Sequence, residues 1–96
     1  MQNSITLTIP ADLSDTEWRK IDMVYKMMPY WVGFHEDGCP YWFGDESKDR
    51  FLYASFEPSG LLFSGQLDKN EFDSWIELFK NLATKQLGFD VIDADE

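Results

Sequence analysis

Ile5, Leu7 and Ile9 alternate with Thr6 and Thr8, the period-two pattern of a strand with one buried face, and Pro10 ends it. The period then changes. Trp18, Ile21, Tyr25 and Met28 recur every three or four residues, so a helix with one apolar face is predicted over 15–28 and stopped by Pro29. Ser14, with Glu17 three residues on, has the spacing of a capping box at its start.

Residues 30–34 and 40–43 are dense in β-formers and are split by the polar break His35, Glu36, Asp37, Gly38, which reads as a hairpin. Trp31, Phe34, Tyr41, Trp42 and Phe43 show little alternation. Either both faces of this hairpin are covered, or some of its rings lie exposed. A charged loop leads to a strand at 51–56, which returns at 61–67 through Glu57-Pro58-Ser59-Gly60, with proline second and glycine fourth as in a type I turn.

Asp68 and Glu71 form a second cap-like pair before the clearest helical pattern of the chain: Phe72, Trp75, Ile76, Phe79, Leu82, Ala83 and Leu87. Gly88 stands where a C-cap glycine belongs, with Phe89 placed to pack back on the last turn. Asp90, Val91 and Ile92 can add a short edge strand, and the acidic end 93–96 is expected to fray. The whole predicts one α+β domain over 1–96, an antiparallel meander of about four to six strands with two helices on one face.

Composition supports a folded chain and limits its partners. With 96 residues there is space for one domain, and 44% hydrophobic and 17% aromatic residues are far more than a disordered chain carries. Eight Lys and Arg against eighteen Asp and Glu give a net charge of −10. A field of that sign repels phosphate backbones and anionic headgroups, so no nucleic acid and no membrane is expected as partner. It favours fast association with a basic protein. The acid is spread, with four basic against eight acidic residues in 1–48 and four against ten in 49–96.

Chemistry adds little. The single Cys39 cannot form an internal disulfide, and with no secretory leader or apolar span of about 18 residues a cytoplasmic location is expected. His35 is the only histidine. With Glu36, Asp37 and Cys39 packed into one turn, adjacent side chains point apart, so no metal is expected. The carboxylates beside Cys39 raise rather than lower a thiol pKa, and each glycine is isolated, which removes a reactive thiolate and a phosphate cradle. Nothing argues for an enzyme or a cofactor.

The stretch ASFEPSGLLFSGQLD running into FDSWIELFKNLATKQLGFDVIDADE comprises a strand, a Pro-Ser-Gly turn, a strand, an amphipathic helix and an acidic ending. From Phe51 onward, about half of the chain, the sequence resembles small immunity proteins of bacterial contact-dependent and polymorphic toxin systems. The resemblance implies a cytoplasmic protein that binds and neutralises a cognate toxin domain. Many such toxins are nucleases with basic clefts, against which an acidic inhibitor imitates the phosphate backbone. The family fixes no residue set, so the expected partner-binding residues come from this chain: the loop acids Glu36, Asp37, Asp45, Glu46 and Asp49, with Tyr41 and Trp42 as aromatic anchors. A DNA-mimicking anti-restriction or anti-defence protein of a phage or plasmid is the alternative. A small acidic ligand-binding domain or enzyme, with a carboxylate near His35, is a third. The sequence sets no oligomeric state.

Overall fold

The computed structural model describes residues 2–10, 12–45 and 47–94. Helix α1 (Asp15–Met27) starts with both halves of the capping box: Ser14 Oγ accepts from the Glu17 N–H at 3.2 Å, and Glu17 Oε1 accepts from the Ser14 N–H at 3.1 Å. Helix α2 (Lys69–Leu87) starts at Asp68, whose carboxylate accepts from the Asn70 N–H at 3.1 Å. Glu71 does not complete a box there. It turns outward to a salt bridge with Arg50, on the loop before residue 51. Gly88 closes α2 in the left-handed conformation, φ 82°, its N–H donating to the Thr84 carbonyl at 2.9 Å.

Five strands, β1 (Gln2–Leu7), β2 (Trp31–Phe34), β3 (Pro40–Trp42), β4 (Phe51–Glu57) and β5 (Gly60–Gln66), make one antiparallel sheet. The order is β1-β5-β4-β3-β2. The meander therefore runs from β2 to β5, and β1 joins it beside β5. Consecutive strands β1 and β2 lie on opposite edges, and α1 spans the sheet between them.

The β1 edge is covered. Thr8 N–H donates to the Ile92 carbonyl at 2.8 Å, Ala94 N–H to the Thr6 carbonyl at 2.9 Å, and Leu7 faces Asp93 in a single antiparallel bridge. The short strand expected at 90–92 does not form; a single bridge at Asp93 and its two flanking hydrogen bonds take its place. Asp93 and Ala94, expected to fray, are held by this pairing; Asp95 and Glu96 lie outside the described residues.

Trp42 joins the layers. Its ring lies 5.5 Å from Tyr25 of α1, 4.7 Å from Trp75 of α2 and 6.0 Å from Phe63 of β5, so both helices cover the same face of the sheet. Its indole N–H donates to the Tyr25 carbonyl at 2.9 Å, which satisfies the one polar group that burial would otherwise strand. Two glycines permit the close strand approach beneath this core. A Cβ at Gly65 would stand 2.1 Å from the Phe51 carbonyl oxygen, and one at Gly60, φ 139°, 2.2 Å from that of Leu7.

The opposite face carries its own aromatic row. His35 stacks on Tyr41 at 3.8 Å, Tyr41 on Tyr53 at 5.5 Å, and Tyr53 on Phe51 at 6.5 Å. The hairpin rings therefore divide: Tyr41 and Trp42 are covered on both faces, while Tyr30 and Phe34 remain exposed. Among the described residues no helix is long and apolar enough to cross a membrane.

Candidate functional site

The loop acids fall into two groups. Glu36 and Asp37 are exposed in the turn between β2 and β3, closed by His35 N–H to the Cys39 carbonyl at 3.0 Å and Gly38 N–H to the His35 carbonyl at 2.9 Å. Asp37 Oδ1 accepts from the Cys39 N–H at 2.9 Å, an Asx turn that fixes its carboxylate. Asp45 opens the loop between β3 and β4. Its Oδ1 accepts from the Ser47 N–H at 2.9 Å and from the Ser47 hydroxyl.

The Ser47 hydroxyl and N–H hold the Asp45 carboxyl below the usual carboxylate range, with the charges of Lys48 and His35 adding in the same direction. The second loop leaves β3 where the Phe43 N–H meets the Tyr30 carbonyl, so it begins beside the start of β2, and the turn with Glu36 and Asp37 lies at the other end of that strand. Asp49 is exposed farther along the second loop, and Glu46 lies outside the described residues. Because the hydrogen bonds favour the charged form, they are made at neutral pH and lost only as pH falls through the lowered Asp45 value. Ser47→Ala should return the Asp45 carboxyl toward ordinary titration; a carbon-detected NMR titration showing no movement would contradict the assignment.

Tyr41 and Trp42 do not serve as exposed anchors. Trp42 is 0% exposed and Tyr41 1%, the first enclosed by the two helices and the second covered by His35 and Tyr53. A ring without accessible surface offers a partner nothing to bury.

The exposed rings lie one or two positions away. Tyr30 is 63% exposed, Val32 50% and Phe34 47%, on and just before the edge strand β2. Tyr30 and Phe34 are four residues apart, about 13 Å along extended chain. A β-bulge between Trp31 and Gly33 breaks the regular alternation, so the exposed side chains mark the two ends of the β2 edge: Tyr30 stacks on Phe43 at its start, and Phe34 meets Trp31 and Tyr25 beside the acidic turn. Unlike β1, β2 has no chain segment pairing with its outer edge among the described residues.

Tyr30 is also conformationally unusual. Tyr30 and Phe43 are both left-handed, φ 68° and 73°, a state costing a non-glycine residue about 1–2 kcal/mol. The pair is locked: Phe43 N–H donates to the Tyr30 carbonyl at 2.8 Å, and the two rings stack at 4.5 Å. Arg50 lies 5.1 Å from the centre of the Phe43 ring while pairing with Glu71. With Pro29, Trp75 and Leu78 the two rings border an apolar groove of about 230 Å³. The strain holds a large ring outward at the start of β2.

Charge is distributed unevenly over this surface. On α2, Asp73 pairs with Lys69 and Glu77 with Lys80, and Glu71 with Arg50. Among the described residues neither Glu36 nor Asp37 is in a salt bridge. Acid outside these salt bridges thus lies next to the exposed rings, and also elsewhere, at Asp15, Asp22, Asp49 and Asp90. Among the described residues no three His, Cys, Asp or Glu side chains group to hold a metal ion.

Sequence reasoning missed Tyr30, Val32 and Phe34 as surface residues. Their alternation with Trp31 and Gly33 is visible in the chain, yet all five are apolar or small, so polarity does not say which set is wet. Comparison with protein-family models, with curated proteins and with solved structures gave no match to this chain.

Proposed function

We propose that this chain is an immunity-type inhibitor, which binds a basic toxin domain through the β2 edge and the two acidic loops beside it. The observation that carries the reading is the exposed turn acids Glu36 and Asp37 at the end of the open edge strand β2, next to the half-exposed Phe34. The two halves of such a surface have different tasks. Carboxylates steer a basic partner into encounter and set the orientation; desolvated rings slow its departure. The net charge of −10 and the resemblance of residues 51–96 to immunity proteins support the same reading. A continuous DNA-mimicking face would space acids without large apolar side chains between them, and here the rings interrupt the acid.

A toxin of the nuclease type gives the charge its simplest role. The inhibitor's acidic turn occupies the cleft that holds the phosphate backbone, and nucleic acid is displaced by competition. The double replacement Glu36→Lys with Asp37→Lys should lower the association rate with the cognate toxin domain about tenfold at low salt and flatten its salt dependence. Stopped-flow association over a salt series checks this. Rates equal to those of the unaltered chain at every salt would overturn the placement of the interface.

A further inference from the structure

We infer that the groove between α1 and the β2–β3 hairpin receives an arginine side chain of the partner. The inference rests on the partner being a basic protein and adds the side chain it offers. The groove, about 360 Å³, is bordered by Trp18, Asp22 and Tyr25 of α1, Phe34 and Asp37 of the hairpin, and Phe56 of β4.

Its chemistry is mixed in a way that selects among cations. Asp22 and Asp37 come from facing elements, and among the described residues neither is in a salt bridge. Asp37 uses Oδ1 on the Cys39 N–H, which leaves Oδ2 for a ligand. The same groove has aromatic walls: Phe34 and Phe56 are 47% and 41% exposed, and Trp18 meets Phe56 edge to face at 5.3 Å. Burial, and then the neighbouring charge of Asp22, keep the Tyr25 hydroxyl protonated, so Tyr25 adds no negative charge to the groove.

A carboxylate pair alone would attract any cation, and rings alone would take any apolar side chain. A guanidinium uses both, since its planar face stacks on rings while its N–H fork donates to carboxylates, and it sheds water more readily than an ammonium. Arginine is accordingly preferred over lysine.

Blocked pentapeptides Gly-Gly-X-Gly-Gly, with X arginine, lysine or norleucine, test this by NMR titration of the full chain without any toxin. The arginine peptide should shift the Trp18 indole N–H and the Gly38 and Cys39 amides saturably, the lysine peptide about fivefold more weakly, and norleucine not at all. Asp22→Asn with Asp37→Asn should weaken arginine binding about tenfold, while the side-chain carbonyl left at position 37 still accepts from the Cys39 N–H and keeps the turn closed. No shift at Trp18, equal binding of lysine and arginine, or equal shifts along α2 from diffuse attraction to a −10 chain would each overturn the inference. Peptide binding with no toxin complex counts against the proposed function alone, and a toxin complex without peptide binding against the groove alone.

Discussion

Trp42→Ala is expected to remove about 3–5 kcal/mol of folding stability, the usual cost of emptying a large aromatic site in a core. For a domain of this size that is a large part of a total of roughly 5–15 kcal/mol. The cavity cannot close by small adjustments, because Trp42 touches Tyr25, Trp31, Phe63 and Trp75 on four different elements. The Tyr25 carbonyl also loses its indole donor. Urea denaturation at equilibrium checks the value, and a loss below about 1 kcal/mol would contradict the placement of Trp42 at the centre of the core. Any failure of this variant to bind a partner reflects unfolding rather than a lost contact.

Tyr30→Gly and Phe34→Ala should behave in the opposite way. Glycine adopts the left-handed conformation of Tyr30 without strain, and this gain offsets the lost stacking on Phe43, so stability should stay within about 1 kcal/mol of the original. Phe34 is half exposed, and its truncation costs the folded chain only the edge contacts with Tyr25 and Trp31. Binding should suffer far more. Loss of an interface anchor costs about 2 kcal/mol or more, which weakens the complex roughly thirtyfold. Calorimetric titration of each variant against the toxin domain checks this. Retained affinity with both rings removed would exclude the β2 edge as the interface.

The sequence is most informative where local chemistry decides the structure. Ser14 with Glu17, Pro29 and Gly88 mark helix ends through hydrogen bonds made within a few residues, and the observed boundaries agree with them. Alternation at Ile5 and Leu7 marks β1, the Pro58-Ser59-Gly60 turn marks the join of β4 and β5, and the α+β class follows. Pairing between distant segments is not written in any window of a few residues. Nothing near Leu7 states that β1 lies beside β5, or that residues 92–94 cover its outer edge. Glu71 has the spacing of a capping box, but Arg50 reaches it from another element and takes its carboxylate.

The candidate surface was legible only in part. Acidic residues in turns are exposed wherever the fold places them, so Glu36 and Asp37 could be read from sequence. The rings could not. Trp42 and Phe34 are both large, apolar and set among β-formers, and only the covering of one face by two helices makes the first core and leaves the second at the edge. Tyr30 is exposed for a further reason, the left-handed backbone that turns its side chain outward just after Pro29, and no sequence rule assigns that state to tyrosine.

The central claim, that this chain neutralises a basic toxin domain through the β2 edge, is tested most directly by hydrogen exchange on a complex. The partner that the proposed function calls for is a basic toxin domain, purified together with this chain. The account predicts a stable complex in which amides of residues 30–39 and 45–49 become protected and the toxin loses activity. Failure of the two to associate, or protection confined to α2 and residues 91–94 with the β2 edge still exchanging freely, would contradict it.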